Sequence, residues 1–226
     1  MYQKLKINPD LLKIFALITM TIDHVGMILL SDKDSVLRLI GRTAFPVFAF
    51  LLMYHLYQKK IFQKYAFRLL TFGLLTTVLL LPFWSGTLNI MWTFLWPVLT
   101  LWIIDKAQKD MPWYLTFFIG CFVLLVFGIL SFTSNYLLGG YLYLLAFWIY
   151  FKWPRFLSAV LLFVLAFLLN QPMMAGGVIT VLTTAFLLCV DRDEKYPRLI
   201  KNKWFFYFYY PLHLLFLYAV STLIKF

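Results

Sequence analysis

Apolar residues run through this chain in long blocks, separated by short breaks that are charged or rich in Gly and Pro. The first block, LLKIFALITMTIDHVGMILLS over residues 11–31, is long enough to cross a bilayer, whose hydrocarbon needs about 20 apolar residues in a helix. The same reading along the chain predicts nine spans, at roughly 11–31, 36–57, 66–84, 88–104, 113–132, 134–151, 155–170, 172–190 and 204–225. The breaks at KWPR and NQPMM rest on turn-forming residues. The expected fold is therefore all-α, a polytopic transmembrane bundle forming one integral-membrane domain over residues 1–226. There is no internal repeat or low-complexity segment. Loops are short apart from DRDEKYPRLIKNK at 191–203, which places any chemistry among the helices or at their mouths.

Composition agrees with the pattern. The chain is 63% hydrophobic and 13% charged, well outside the range of an ordinary soluble domain. Its first apolar run is too long for a signal-peptide core and lacks a small-x-small cleavage site, so it is expected to be a retained helix. Cys121 and Cys189 fall inside apolar segments and are expected to be small core residues.

The net charge of +11 raises the question of nucleic acid, but the basic residues alternate with the spans and do not gather into one patch. With the N-terminus inside, cytoplasmic segments hold 16 of the 20 Lys and Arg, leaving Lys33, Arg38, Arg42 and Lys225 outside. Cytoplasmic loops collect Lys and Arg, so the expected topology is N-terminus in, C-terminus out, with no nucleic-acid partner.

Asp23 and His24 are the polar residues that most need explaining. Asp23 lies roughly 12 Å below the outer end of the first span, where an ionised carboxylate costs about 2.5–3.5 kcal/mol on insertion scales. It should therefore face the bundle interior with a partner. Arg42, about 9 Å below the same surface on the second span, matches that depth. An Asp23–Arg42 pair beside His24, open to the outer half, is the expectation. Asp23 and His24 point about 100° apart around the helix, so one can serve chemistry while the other meets a neighbouring helix. A buried charge pair that only fixes helix register is the plain alternative.

Gly41 permits close backbone approach, and Pro46 should kink the second span by removing a hydrogen bond and crowding the preceding turn. His213 lies near the middle of the last span, two residues after Pro211, and is either a satisfied core residue or part of a pocket. His55 is expected at the interface. Three histidines at three depths make no metal site. Lys59, Lys60, Lys64 and Arg68 reach the inner surface with no acid among them. They suit anionic lipid headgroups or the phosphates of a nucleotide-like donor from the cytosol.

The motifs IDHVGMIL, GRTAFPVFAFLL, KYAFRLLTFGLLTTVLLLPF, LNIMWTFLWPVLTLW and YYPLHLLFLY resemble, in order, the TraX family, named for the conjugative protein that N-acetylates pilin. The resemblance is specific in the first two spans and faint from about 105 to 200. It implies a multi-pass protein of the bacterial cytoplasmic membrane, similar to transmembrane acyltransferases. Those enzymes take an acyl group from acetyl-CoA on the cytoplasmic side and pass it to an envelope acceptor such as a glycan, a polymer hydroxyl or a protein amine. Carried over residue by residue, it points to Asp23, His24, Gly41, Arg42, Phe45, Pro46, Phe48, Tyr210, Pro211 and His213. After the FAF element this chain departs from the family pattern with Tyr54 and His55.

Acetyl transfer needs a base for the acceptor's proton, and an imidazole suits that at neutral pH. In this scheme His24 is the base, Asp23 holds its tautomer or stabilises an imidazolium, Arg42 steadies an oxyanion or simply neutralises Asp23, and His213 completes the catalytic set. Lys59, Lys60, Lys64 and Arg68 would hold the acyl-CoA. No Cys or Ser stands out as a nucleophile, which favours direct transfer. A proton-coupled permease and a non-catalytic assembly factor are the competing readings, since intramembrane Asp, His and Arg also build proton relays.

Overall fold

The computed structural model describes residues 5–30, 36–83, 86–171, 173–192, 199–200, 202 and 204–224. The expected loop SDKDS at 31–35 and most of the basic stretch 193–203 lie outside them, as do Lys4, Lys33 and Lys225. The described elements are α1 (Pro9–Ile28), α2 (Val36–Gly41), α3 (Ala44–Lys59), α4 (Phe62–Leu80), α5 (Ile90–Asp110), α6 (Trp113–Ser131), α7 (Leu137–Lys152), α8 (Phe156–Leu168), α9 (Met174–Leu188) and α10 (Phe205–Ile224). Two short strands, β1 (Leu5–Ile7) and β2 (Val190–Arg192), pair in parallel.

Each predicted span corresponds to a helix or, for the second, to a helix pair. Five are long and apolar enough to cross a membrane: α1, the α2–α3 stretch from Val36 to Lys59, α5, α6 and α10. The apolar helices α7, α8 and α9 are shorter. The second span breaks where its proline requires. Pro46 has no N–H to offer the carbonyl of Arg42, so the ladder is interrupted there. Arg42 and Thr43 instead donate to Leu39 and Ile40, three residues back, in tight turns of 3.1 and 3.2 Å.

The chain's contacts group into two compact units, one of residues 1–52 with 155–226 and one of residues 53–154. In the first, α1 packs against α2 and α10, and α8 against α9. Asn8 caps α1 by accepting from the Asp10 N–H at 2.9 Å, with Pro9 pre-set for the first turn. Asp10 then accepts from Lys13 Nζ at 2.8 Å and from the Leu199 N–H at 3.0 Å, tying the start of α1 to the chain just before α10. The α8–α9 pair closes on Gly177, where an added Cβ would lie 2.6 Å from the Phe167 carbonyl oxygen.

In the second unit α5 is the hub, packed against α4, α6 and α7. Asn89 caps α5 by accepting from the Met91 N–H, and its amide donates to the Gly73 carbonyl and to Thr77 on α4. Thr100 donates to the Trp96 carbonyl, so the buried Tyr141 hydroxyl must donate to Thr100, at 2.9 Å. The strand pair is absent from the expected all-α scheme. Cys121, on α6, and Cys189, directly after α9, are both exposed and not in the core as expected, because an apolar run marks a segment without saying which of its faces is covered.

Candidate functional site

The 100° step between Asp23 and His24 divides them between two neighbours of α1 in the first unit. Asp23 turns to α2. Its Oδ2 accepts from Arg38 Nη1 at 2.7 Å, and both side chains are only 15% exposed. The expected partner was Arg42, and the structure corrects this to Arg38. Matching depth along the membrane ignores rotation about the helix axis. Arg38 lies one turn before Gly41 and shares its helix face, which is the face laid on Asp23. Arg42 follows the end of α2, where the chain leaves the helical path.

The fit at Gly41 is close: a Cβ built there would stand 2.1 Å from Asp23 Cβ. Only a residue without a side chain allows this approach. Among the described residues, Asp23 Oδ1, Arg38 Nε and Arg42 Nε are buried with no hydrogen-bond partner, so the cluster keeps unused donors and an unused acceptor.

His24 turns to α10. Its Nδ1 is 2.7 Å from His213 Nε2, with the rings stacked at 5.0 Å and 29°. His213 Nδ1 is 2.9 Å from the backbone oxygen of Tyr209, one turn earlier on the same helix. The Tyr209 ring stacks on His213 at 5.1 Å and 16°. That ring is itself fixed from α1. Thr21 donates its hydroxyl hydrogen to the Leu17 carbonyl at 2.8 Å, so at its 2.8 Å contact with Tyr209 the tyrosine hydroxyl is the donor. Tyr210 flanks both imidazoles, 6.4 Å from His24 and 5.7 Å from His213.

The first unit thus brings together Asp23, His24, Arg38 and His213, with Gly41 and Tyr209 shaping their contacts. Sequence reasoning missed Arg38, Tyr209 and Thr21. The signal for Arg38 was its three-residue spacing from Gly41, and for Tyr209 its four-residue spacing from His213. Lys59, Lys60, Lys64 and Arg68 belong to the second unit, around the turn between α3 and α4. An acid does join them: Asp105 on α5 lies 3.6 Å from Lys60 Nζ and 2.6 Å from Lys109 Nζ. His55, in the same unit, is half-buried with its ring edge-on to Tyr65. Among the described residues no three His, Cys, Asp or Glu side chains gather to hold a metal.

The fold and the paired histidines define a helical protein of membrane type, with a polar cluster held between apolar helices. The chain belongs to the TraX family, whose TraX protein description matches residues 8–221. It is also similar to an uncharacterised protein of Rickettsia prowazekii (strain Madrid E), 50% identical over 50 residues. That stretch is 22% of this chain and 20% of the relative, so the chain spans about a fifth of that relative's length in the match. No solved structure matches the chain.

Proposed function

We propose that this protein is a membrane acyltransferase that moves an acetyl or other short acyl group from cytoplasmic acyl-CoA to an acceptor in the bacterial envelope. The observation that carries the reading is the His24–His213 pair, 2.7 Å apart and part-buried between two helices apolar enough to span a membrane. Membership of the TraX family supports it. In the reaction the acceptor's oxygen or nitrogen attacks the thioester carbonyl carbon while its proton passes to His24. The carbon–sulfur bond then breaks, and the CoA thiolate leaves and takes up a proton. Arg42, whose Nε has no partner among the described residues, is the cation suited to the developing oxyanion. Asp23 is spoken for by Arg38 and serves architecture. Lys59, Lys60, Lys64 and Arg68 are the groups we assign to the donor's phosphates.

We further propose that all nine apolar segments cross the cytoplasmic membrane with the N-terminus inside. Within each unit, segments expected on one side meet one another. Lys60 and Lys109 share Asp105, Leu88 bridges to Ser134, and β1 pairs with β2. Helices α7, α8 and α9 have 16, 13 and 15 residues, about 24, 20 and 22 Å against a hydrocarbon core of about 30 Å, a shortfall that local thinning can take up. In a chain freed of its native cysteines, Thr87→Cys should react with an impermeant maleimide on intact cells and Lys109→Cys only after lysis. The reverse pattern would invert the topology.

The activity is tested with purified protein, acetyl-CoA and an envelope extract. Free CoA should appear, and His24→Ala should lower its release about 10²–10⁴-fold, the usual share of a general base. Folded protein that neither binds CoA nor releases it with any extract would overturn the acyltransferase reading in favour of transport. Full turnover by His24→Ala would overturn the assignment of the base.

A further inference from the structure

The two histidines have only one self-consistent arrangement of protons when both are neutral. A carbonyl oxygen can only accept, so His213 Nδ1, 2.9 Å from the Tyr209 oxygen, carries the hydrogen. His213 Nε2 is then a bare lone pair, and the 2.7 Å contact requires His24 Nδ1 to donate to it. His24 Nε2 is left without a hydrogen, and no hydrogen bond occupies it among the described residues. The adjacent acid does not do this work: its Oδ2 is held by Arg38 on another face of α1, and its Oδ1 has no hydrogen-bond partner among the described residues.

We propose that His213 is a positioning residue that locks His24 into the Nδ1–H tautomer, so that His24 Nε2 is the proton-accepting atom, and that His213 takes over the charge when that atom is protonated. The second half follows from the same contact. When an acceptor's O–H or N–H bond breaks and its proton bonds to His24 Nε2, the Nδ1–H bond can break as that hydrogen bonds to His213 Nε2. The positive charge then rests on His213, against the Tyr209 carbonyl. Return of a proton to the departing thiolate reverses both steps. The Tyr209 hydroxyl, anchored on Thr21, keeps its ring stacked on His213 and so maintains the alignment. The catalytic part of this proposal rests on the acyl-transfer reading; the tautomer does not.

The chain has only three histidines, so 15N spectra of histidine-labelled full-length protein in lipid nanodiscs are tractable, with His24→Gln and His55→Gln assigning the signals. At alkaline pH, where both rings are neutral, His24 should show a protonated Nδ1 and a bare Nε2, the opposite of the ordinary form in water. His213→Gln should keep that tautomer, because an amide oxygen still accepts, while His213→Leu should return His24 to the Nε2–H form. A wild-type His24 already in the Nε2–H form, or one unmoved by His213→Leu, overturns the proposal. The wild-type spectrum decides even where a variant does not fold.

In acetyl-CoA turnover, His213→Gln should lower kcat roughly tenfold, because orientation survives and the relay does not, with KM within about twofold. Unchanged kcat in that variant removes the charge-relay half. The expected tautomer in a protein that turns over no CoA removes the acyl-transfer reading and leaves the locked pair standing.

Discussion

Gly41→Ala should cost roughly 3 kcal/mol or more of stability and prevent accumulation of folded protein, although it adds one methyl group. The obstacle is Asp23 Cβ, 2.1 Å from where the new carbon would stand, with Cγ and Oδ1 at 2.5 Å. A Cβ cannot swing aside as the tip of a long side chain can, so α1 and α2 would have to separate. Separation would draw Asp23 off Arg38 and leave a charge buried without its partner. Gly120→Ala is the control, since a Cβ there meets nothing closer than Ile104 Cδ1 at 3.9 Å. Relief of glycine's backbone entropy within α6 should make it neutral or stabilising by up to about 1 kcal/mol. Thermal unfolding in detergent, read as the monodisperse fraction surviving each temperature, compares the two. Equal behaviour of both variants would contradict the Gly41–Asp23 contact.

Arg38→Met should be the most damaging of the arginine substitutions, at about 3–5 kcal/mol, because it strands the Asp23 carboxylate between apolar helices. Arg42→Met should cost under about 1 kcal/mol, since among the described residues Arg42 forms no ion pair and its Nε has no hydrogen-bond partner. The doubly altered Asp23→Arg, Arg38→Asp chain should recover part of the loss, and the same exchange made with Arg42 should not. The unfolding assay reads all four chains. A rank order with Arg42→Met as harmful as Arg38→Met would return the pairing to the depth-matched partner. These outcomes bear on function as well, because a folded Arg42→Met protein with depressed CoA release would place Arg42 near the oxyanion and not in the architecture.

The segments themselves were legible in the residues. Blocks near 20 apolar residues, bounded by charge, Gly or Pro, coincide with α1, α3 to α10 and the α2–α3 break. The reason is that run length and a missing N–H are local properties. An apolar solvent enforces the first, and the chemistry of Pro46 enforces the second. The sequence also singled out Asp23 and His24 and predicted that they would face different ways, since a fixed 100° step needs no knowledge of the neighbours.

What surrounds those side chains was decided only in three dimensions. Depth along a helix can be counted, but its rotation and its choice of neighbour emerge from packing, which is why Asp23 met Arg38 and not Arg42. His24 and His213 are separated by 189 residues, so no spacing rule joins them. The proton pattern that makes His24 Nε2 the open atom depends on one backbone oxygen, that of Tyr209, which carries no mark of its role in the sequence. The pairing of β1 with β2 and the arrival of Asp105 among the lysines are of the same kind. Chain length and local polarity determine where helices begin and end, whereas the contacts between distant helices determine which polar atoms are satisfied and which remain open for chemistry.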